Sequence, residues 1–331
     1  MNADRWVAVL GLGALAVGCA NAEALSTSKR LTLVADVPLD VAPRRFDYQD
    51  FDAKRGYFVV AHMGSGEALV LTTAGALTSV LPGLPTARGV AVASERGRFF
   101  ITTSDDEVVA FDSNSLGEVA RFATGRAPDG VAYDAAAHLL GVSAQSDGAL
   151  DLIDEAGAAP TITVALGRET GNVRFDEARD LFWIAVVAES ENQLVSVSPA
   201  GEIRTRIALS GCDGAHGVLV LADTTALVAC EDNATVLRVE LERHEVTKRL
   251  DVGASPDVLA WDRELGLAYV AAESGDVAVL DVSGSSTELT ELVHVGDTAH
   301  TVAVDPSTHR VYFPLVDGGE GAPVLRILEA H

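Results

Sequence analysis

The stretch that decides the fold is AHGVLVLADTTALVACEDNATVLRVELERHEVTKRLDVG, Ala215 to Gly253. Apolar residues alternate through GVLVL, a polar turn follows, and ALVAC alternates back. TVLRVEL and VTKRLDVG add a third and a fourth strand, each bounded by polar turn residues. Period-two alternation between turn signals is the signature of half-buried antiparallel strands.

The same unit recurs along the chain. RFDYQDFDAKRGYFVVAH, ARGVAVASERGRFFITT, PDGVAYDAAAHLLGVSA, TGNVRFDEARDLFWIAV, AHGVLVLADTTALVACE, PDVLAWDRELGLAYVAAE and AHTVAVDPSTHRVYFPL each read as strand, turn, strand. Equivalent residues near the seven starts are Asp47, Arg88, Asp129, Gly171, His216, Asp257 and His300, at spacings of 41, 41, 42, 45, 41 and 43. Four strands per period of about 40 to 50 residues describe an all-β fold, a β-propeller, here with seven blades. The last segment, PVLRILEAH, reads as a third strand. RLTLVADVPL (Arg30 to Leu39) is expected to supply the missing fourth, so that the N-terminal strand closes the last blade and leaves no open edge. Residues 30–331 then form one domain.

Composition narrows the function classes. Apolar residues make up 48% and charged residues 22% of the 331, as in a globular chain. The net charge of −24, with no run of Lys or Arg, argues against nucleic acid as a partner.

Residues 1–24 read as an export signal. WVAVLGLGALAVG (Trp6 to Gly18) follows Arg5 and is too short to span a bilayer. LAVGC resembles a lipobox with Cys19 as the lipidated residue, although Ala16 stands where Leu is usual. Cleavage after Ala22 or Ala24 is the alternative exit. The expected location is the periplasm or the outer membrane, with membrane contact only through a lipid anchor. Disulfides persist there. With Cys19 lipidated or removed, Cys212 and Cys230 remain to pair. A zinc site on them would need further ligands at the right spacing, which are missing.

In a propeller the first strands line the channel, and their starts meet the ends of the second strands at one mouth. A blade-five register with Leu221 opposite Ala226 sets His216 against Glu231 and Cys230 against Gly217. The same motif alignment sets Asp47 against His62, Arg88 beside Thr103, Asp129 beside Ala144, and Asp257 beside Ala272 with Glu273 next. The candidate ligand-binding set is therefore Asp47, His62, Arg88, Asp129, Asn172, His216, Glu231, Asp257, Glu273 and His300. Carboxylates with His and Asn suit a divalent metal, the one cofactor this set suggests. Other features read as structural. Trp261-Asp262 is a lone WD pair at a strand end, Met63 beside His62 is packing, and His138, His244 and His309 fall in outer or turn segments.

RFDYQ, AHMG, LPTARGV, PDGVAYD, GCDGAHG, ACEDNA, PDVLAWD, AESG and AHTVAVDPSTHRVYFPL together resemble the YVTN-type, YncE-like seven-bladed propellers of bacterial envelopes, over about residues 31–331. The resemblance implies a periplasmic or lipid-anchored propeller and implies no reaction, because propellers host many functions. Blade four departs from the pattern, with TGNVRFD in place of a Pro-led start.

Several roles remain open at this level. The mouth is a solvated channel end, a site for a small molecule or metal, or the cleft of a lactone or ester hydrolase. In the hydrolase the Asp47–His62 or Glu231–His216 pair would be the base. No G-x-S-x-G elbow is present, which disfavours a serine hydrolase. A scaffold for an envelope protein, through loops such as DGGEGAP (Asp317 to Pro323), is a further reading. A monomer is expected.

Overall fold

The computed structural model describes residue 25 and residues 28–222, 224–319 and 321–331. The segment expected to act as an export signal, Cys19 included, lies outside them. Among the described residues no helix is long and apolar enough to cross a membrane.

Seven four-stranded antiparallel sheets follow one another around a ring. Six are built from consecutive strands. Blade five runs Ala215–Val220, Thr225–Cys230, Thr235–Glu240 and Glu245–Asp251. The seventh is completed as the sequence suggests. Its inner strands Ala303–Asp305, Arg310–Leu315 and Val324–Ala330 are joined at the outside by Leu31–Pro38, which pairs Leu31 with Ala330 and Pro38 with Val324. That pairing locks the two ends of the ring together and removes a free sheet edge.

The apolar faces of neighbouring blades form the core. Phe58 of blade one meets Tyr312 of blade seven with ring centroids 4.1 Å apart, and Phe100 of blade two meets Tyr133 of blade three at 5.3 Å. Such aromatic contacts bury large areas between sheets and fix their spacing.

A second repeated device closes the turn between the first and second strands. Asp52, Asp134, Asp176, Asp262 and Asp305 end the first strands of five blades. Each turns a carboxylate oxygen onto backbone N–H groups of the turn. Asp134 Oδ1, for example, accepts from Ala136 at 2.8 Å and Ala137 at 3.1 Å. The turn's fourth position is left-handed, with φ of +67° at Gly56, +55° at His138 and +57° at His309. His138 and His309 are thus turn residues, as expected; His138 is exposed, while His309 is half-buried against Asp262.

The register departs from the expected one at the starts of the first strands. In blades three to six the pairing slips between Pro128 and Val131, Thr170 and Val173, Ala215 and Val218, and Pro256 and Leu259. Each inner strand carries one extra residue there, a β-bulge. In blade five the turn also takes one more residue than a tight hairpin, and Val220 is opposite Ala226. Cys230 therefore pairs with Ala215 and not with Gly217, and His216 is not set against Glu231.

Candidate site at the channel mouth

The four bulges fall on Asp129–Gly130, Gly171–Asn172, His216–Gly217 and Asp257–Val258. A bulge bends its strand and re-aims a side chain. Here it turns one polar side chain per blade across the axis. The neighbouring glycines make the close approach possible. A Cβ on Gly89 would overlap the Asp129 carbonyl oxygen, and one on Gly217 would overlap that of Asp257. A Cβ on Gly171 would lie 2.6 Å from the His216 Cα. Each glycine seats the site residue of the next blade. Hydroxyls complete the seating: Gly89 N–H donates to Thr102 Oγ1 at 2.8 Å, and that hydroxyl donates to the Asp129 carbonyl at 2.8 Å.

The result is a buried polar cup. Asp47, Asp129, Asp257, Asn172 and His300 are each at most 4% exposed. His216 Nε2 stands 3.4 Å from Asp257 Oδ1 and 3.5 Å from Asp129 Oδ2. Tyr48 forms the floor. Its hydroxyl donates to Asp129 Oδ2 at 3.3 Å and lies 3.4 Å from His216 Nε2. Arg88 approaches from the rim, 3.8 Å from Asp129 Oδ1, and donates to Gln145 Oε1 at 2.9 Å. Arg45 pairs with Glu273 at 2.7 Å beside it. His300 Nε2 is 3.9 Å from Asp47 Oδ1, while its Nδ1 lies 3.0 Å from the Thr298 carbonyl. A carbonyl only accepts, so Nδ1 carries the proton and donates. Nε2 is left to present a lone pair to the cup.

The charges are strongly coupled. Burial pushes the Asp47 carboxyl well above the usual carboxylate range, and Asp129 and Asp257 add to the push. Burial also raises Asp129, with Asp257 reinforcing and His216 and Arg88 opposing. Asp257 goes the other way: burial is outweighed by His216, His300 and Arg45, which hold it low. Burial works against a charged His216, but Asp257, Asp129 and Glu231 outweigh it and push the imidazole up to about 10. His300 is pushed down by burial, which favours its neutral form.

Three polar atoms of the cup have no hydrogen-bond partner among the described residues, Asn172 Oδ1 and Nδ2 and His300 Nε2, and Asp257 Oδ1 has only its long contact with His216. Orphaned buried atoms are costly and rare in folded proteins. Asp47, Asp257 and His300 each offer one donor atom, and these three lie within 4.8 Å of one another.

The remaining candidates lie around this cluster. His62 is fully buried but engaged elsewhere: its Nδ1 is 2.9 Å from Glu67 Oε1, and its ring stacks on Phe46. The Asp47–His62 couple is therefore not formed. Glu231 opens a short 3-10 turn, Glu231–Asn233, and its field reaches His216 without a direct contact. A His216 held protonated by three acidic neighbours also cannot act as the base of a Glu231–His216 pair. Cys212 and Cys230 form a disulfide with Cα atoms 5.2 Å apart, which ties the loop before His216 to the end of the second strand. The loop Asp317 to Pro323 folds on itself, with Asp317 Oδ1 accepting from the Gly319 and Gly321 N–H groups. Tyr48 and Arg45 were not among the candidates. Both stand in the RFDYQ segment around Asp47.

Comparison with protein-family models and with curated proteins finds no match. Solved structures give the fold. Hydrazine synthase of Kuenenia stuttgartiensis superposes with a TM-score of 0.76 at 13% identity, over 89% of this chain and 98% of that one. A streptogramin B lyase gives 0.75 at 9%, over 91% and 98%. The virginiamycin B lyase from Staphylococcus aureus gives 0.73 at 11%, over 90% and 99%. At such identities the likeness is one of fold alone: the chain is a seven-bladed β-propeller with propeller neighbours.

Proposed function

We propose that this protein is an exported, YncE-like propeller whose channel mouth binds a divalent cation between Asp47, Asp257 and His300, and through that ion a small ligand. One observation carries the reading. His300 Nε2 is buried, bears a lone pair, has no hydrogen-bond partner among the described residues, and faces two carboxylates. An imidazole whose other nitrogen donates to a backbone carbonyl is the usual arrangement of a ligating histidine. One imidazole with two carboxylates suits zinc, manganese or iron better than calcium. The ion would also compensate the carboxylates that otherwise raise Asp47.

Elemental analysis of the full mature chain, loaded with manganese or zinc and dialysed, tests this. About one equivalent should be retained, as expected for a mononuclear site. His300→Gln and Asp47→Asn should lose it. No retained metal in the wild type, or full retention in both variants, overturns the reading.

A metal-assisted hydrolase is the second reading. It is favoured by His216, whose Nε2 stands 3.4 Å from the metal-facing Asp257 and could hold or deliver a proton beside the ion. Two of the propellers it superposes on are lyases, so this fold does host enzymes. Turnover in a lactone and ester screen, lost in His216→Gln with metal retained, would support an enzyme over a binder. Export rests on the N-terminal run. Cys19→Ala should release the protein from the membrane fraction, and a wild type already soluble with its start at Glu23 or Leu25 excludes the lipid anchor.

A further inference from the structure

Below Tyr48 the channel changes character. The first strands of six blades enclose a cavity of about 510 Å³, which opens toward the face opposite the cup. That volume is within the range of small-molecule sites. Tyr48, Phe51, Tyr133, Phe175 and Trp261 line it, with valines and alanines between them.

The polar groups in the wall are few, and most are committed. Asp50 Oδ1 accepts from the Phe51 N–H at 2.8 Å and Oδ2 from the Val92 N–H at 2.7 Å, so this carboxylate braces two strands. Arg96 pairs with Glu155 at 3.1 Å, and Glu95 turns to Lys54 at 2.7 Å. Two groups inside the wall keep spare capacity, and Glu177 stands at its rim. Gln49 is 7% exposed; its Nε2 donates to the Tyr312 carbonyl at 3.0 Å, and its Oε1 has no partner among the described residues. Arg174 projects from the first strand of blade four, and its hydrogen bond among the described residues is from Nη1 to the Val173 carbonyl at 3.2 Å. Arg174 also favours the ionised form of the Asp50 carboxyl. A guanidinium has five N–H donors, and its planar fork matches a carboxylate.

We propose that this lower channel is a second binding site, which takes a small monocarboxylate on an aromatic or aliphatic body, with Arg174 as its anchor. The aromatic wall accepts the body and the guanidinium accepts the anion. The net charge of −24 does not forbid this, because fields between exposed charges are screened beyond about 8 Å at physiological salt. The site is independent of the cation reading, since Tyr48 stands between the two chambers and none of the metal donors lines the cavity.

The test is isothermal titration of the chelator-treated full chain with three probes of matched shape: phenylbutyrate, phenylbutylamine and phenylbutanol. Chelation removes any carboxylate binding that runs through a metal at the mouth. The acid should bind most tightly. Arg174→Gln should weaken it by about tenfold or more, the scale of a lost charged hydrogen bond, and should erase the preference over the alcohol. Ala260→Phe, which fills the wall, should weaken all probes, while Arg243→Gln on the exposed outer surface should leave acid binding unchanged. Circular dichroism and melting curves establish that the variants fold. Equal or tighter binding of the amine, no loss in Arg174→Gln, or no binding of any probe at millimolar concentration overturns the proposal.

Discussion

The two ends of the same inner strands carry the same residue type to opposite ends. Asp47 and Asp52, Asp129 and Asp134, and Asp257 and Asp262 are pairs five residues apart, and all six are buried. At the turn end the carboxylates accept backbone N–H groups, and Asp52 also holds Arg55 at 3.0 Å. At the mouth end they face one another, two histidines and a tyrosine across the axis, with orphaned donors and acceptors among them. A carboxylate fixed by N–H donors is a structural group with at least one oxygen fully engaged, although Asp134 Oδ2 has no partner among the described residues. One turned by a bulge toward other carboxylates carries unspent binding capacity. The fold stabilises itself at one end of the channel and stores chemistry at the other.

The largest effect should come from the turn end. Asp52→Ala leaves two N–H groups and a largely buried Arg55 without their acceptor. It should cost about 3–4 kcal/mol in denaturant unfolding while leaving metal content unchanged. A cost near zero would remove the distinction between the two ends. At the mouth the disulfide, not the carboxylates, should supply stability. Cys212→Ser opens a crosslink between residues 18 apart and should cost about 3 kcal/mol on the chain-entropy model. Thiol titration of unfolded, unreduced wild type should find neither cysteine free.

The third prediction concerns pH in chelated protein. His216, facing Asp129, Asp257, Glu231 and Tyr48, is raised from 6.5 to about 10. A group whose folded value is raised contributes stability that is complete below its unfolded value and is lost as pH rises through the folded one. Stability should therefore fall by roughly 3 kcal/mol between neutral pH and about pH 10, and His216→Gln should flatten that slope. A slope of opposite sign would refute the charge assignment. The smallest effect should carry the opposite sign to the first. Asp47→Asn removes a carboxyl whose ionisation opposes folding, so metal-free protein should gain stability at neutral pH. A loss as large as that of Asp52→Ala would make the two ends equivalent.

The seven starts and the closing strand were legible because spacing and alternation report directly on repeated sheets. RLTLVADVPL pairs as the alternation suggests. The Cys212–Cys230 pair was legible because, with Cys19 set aside in the expected export signal, two cysteines had no other partner. The inward set was less so. His62 occupies the position opposite Asp47 but turns to Glu67, and a side chain's choice between two neighbours is invisible in spacing. The blade-five register failed at His216–Gly217 because a bulge adds a residue without breaking the apolar alternation on either side. Its local sign is the glycine beside the polar residue, as in Asp129-Gly130 and His216-Gly217, and those glycines prove to be seats for the next blade. Tyr48 and Arg45 were adjacent to Asp47 in RFDYQ, but no pattern distinguishes a channel floor from a core tyrosine.

The central claim is that the mouth-end carboxylates and His300 form a cation site. The most direct measurement is anomalous diffraction from a crystal of the mature protein soaked in manganese. The account predicts a single strong peak among Asp47, Asp257 and His300, about 2.0–2.3 Å from His300 Nε2. No peak there, or a peak only at a surface pair such as His294 and Asp276, would contradict it.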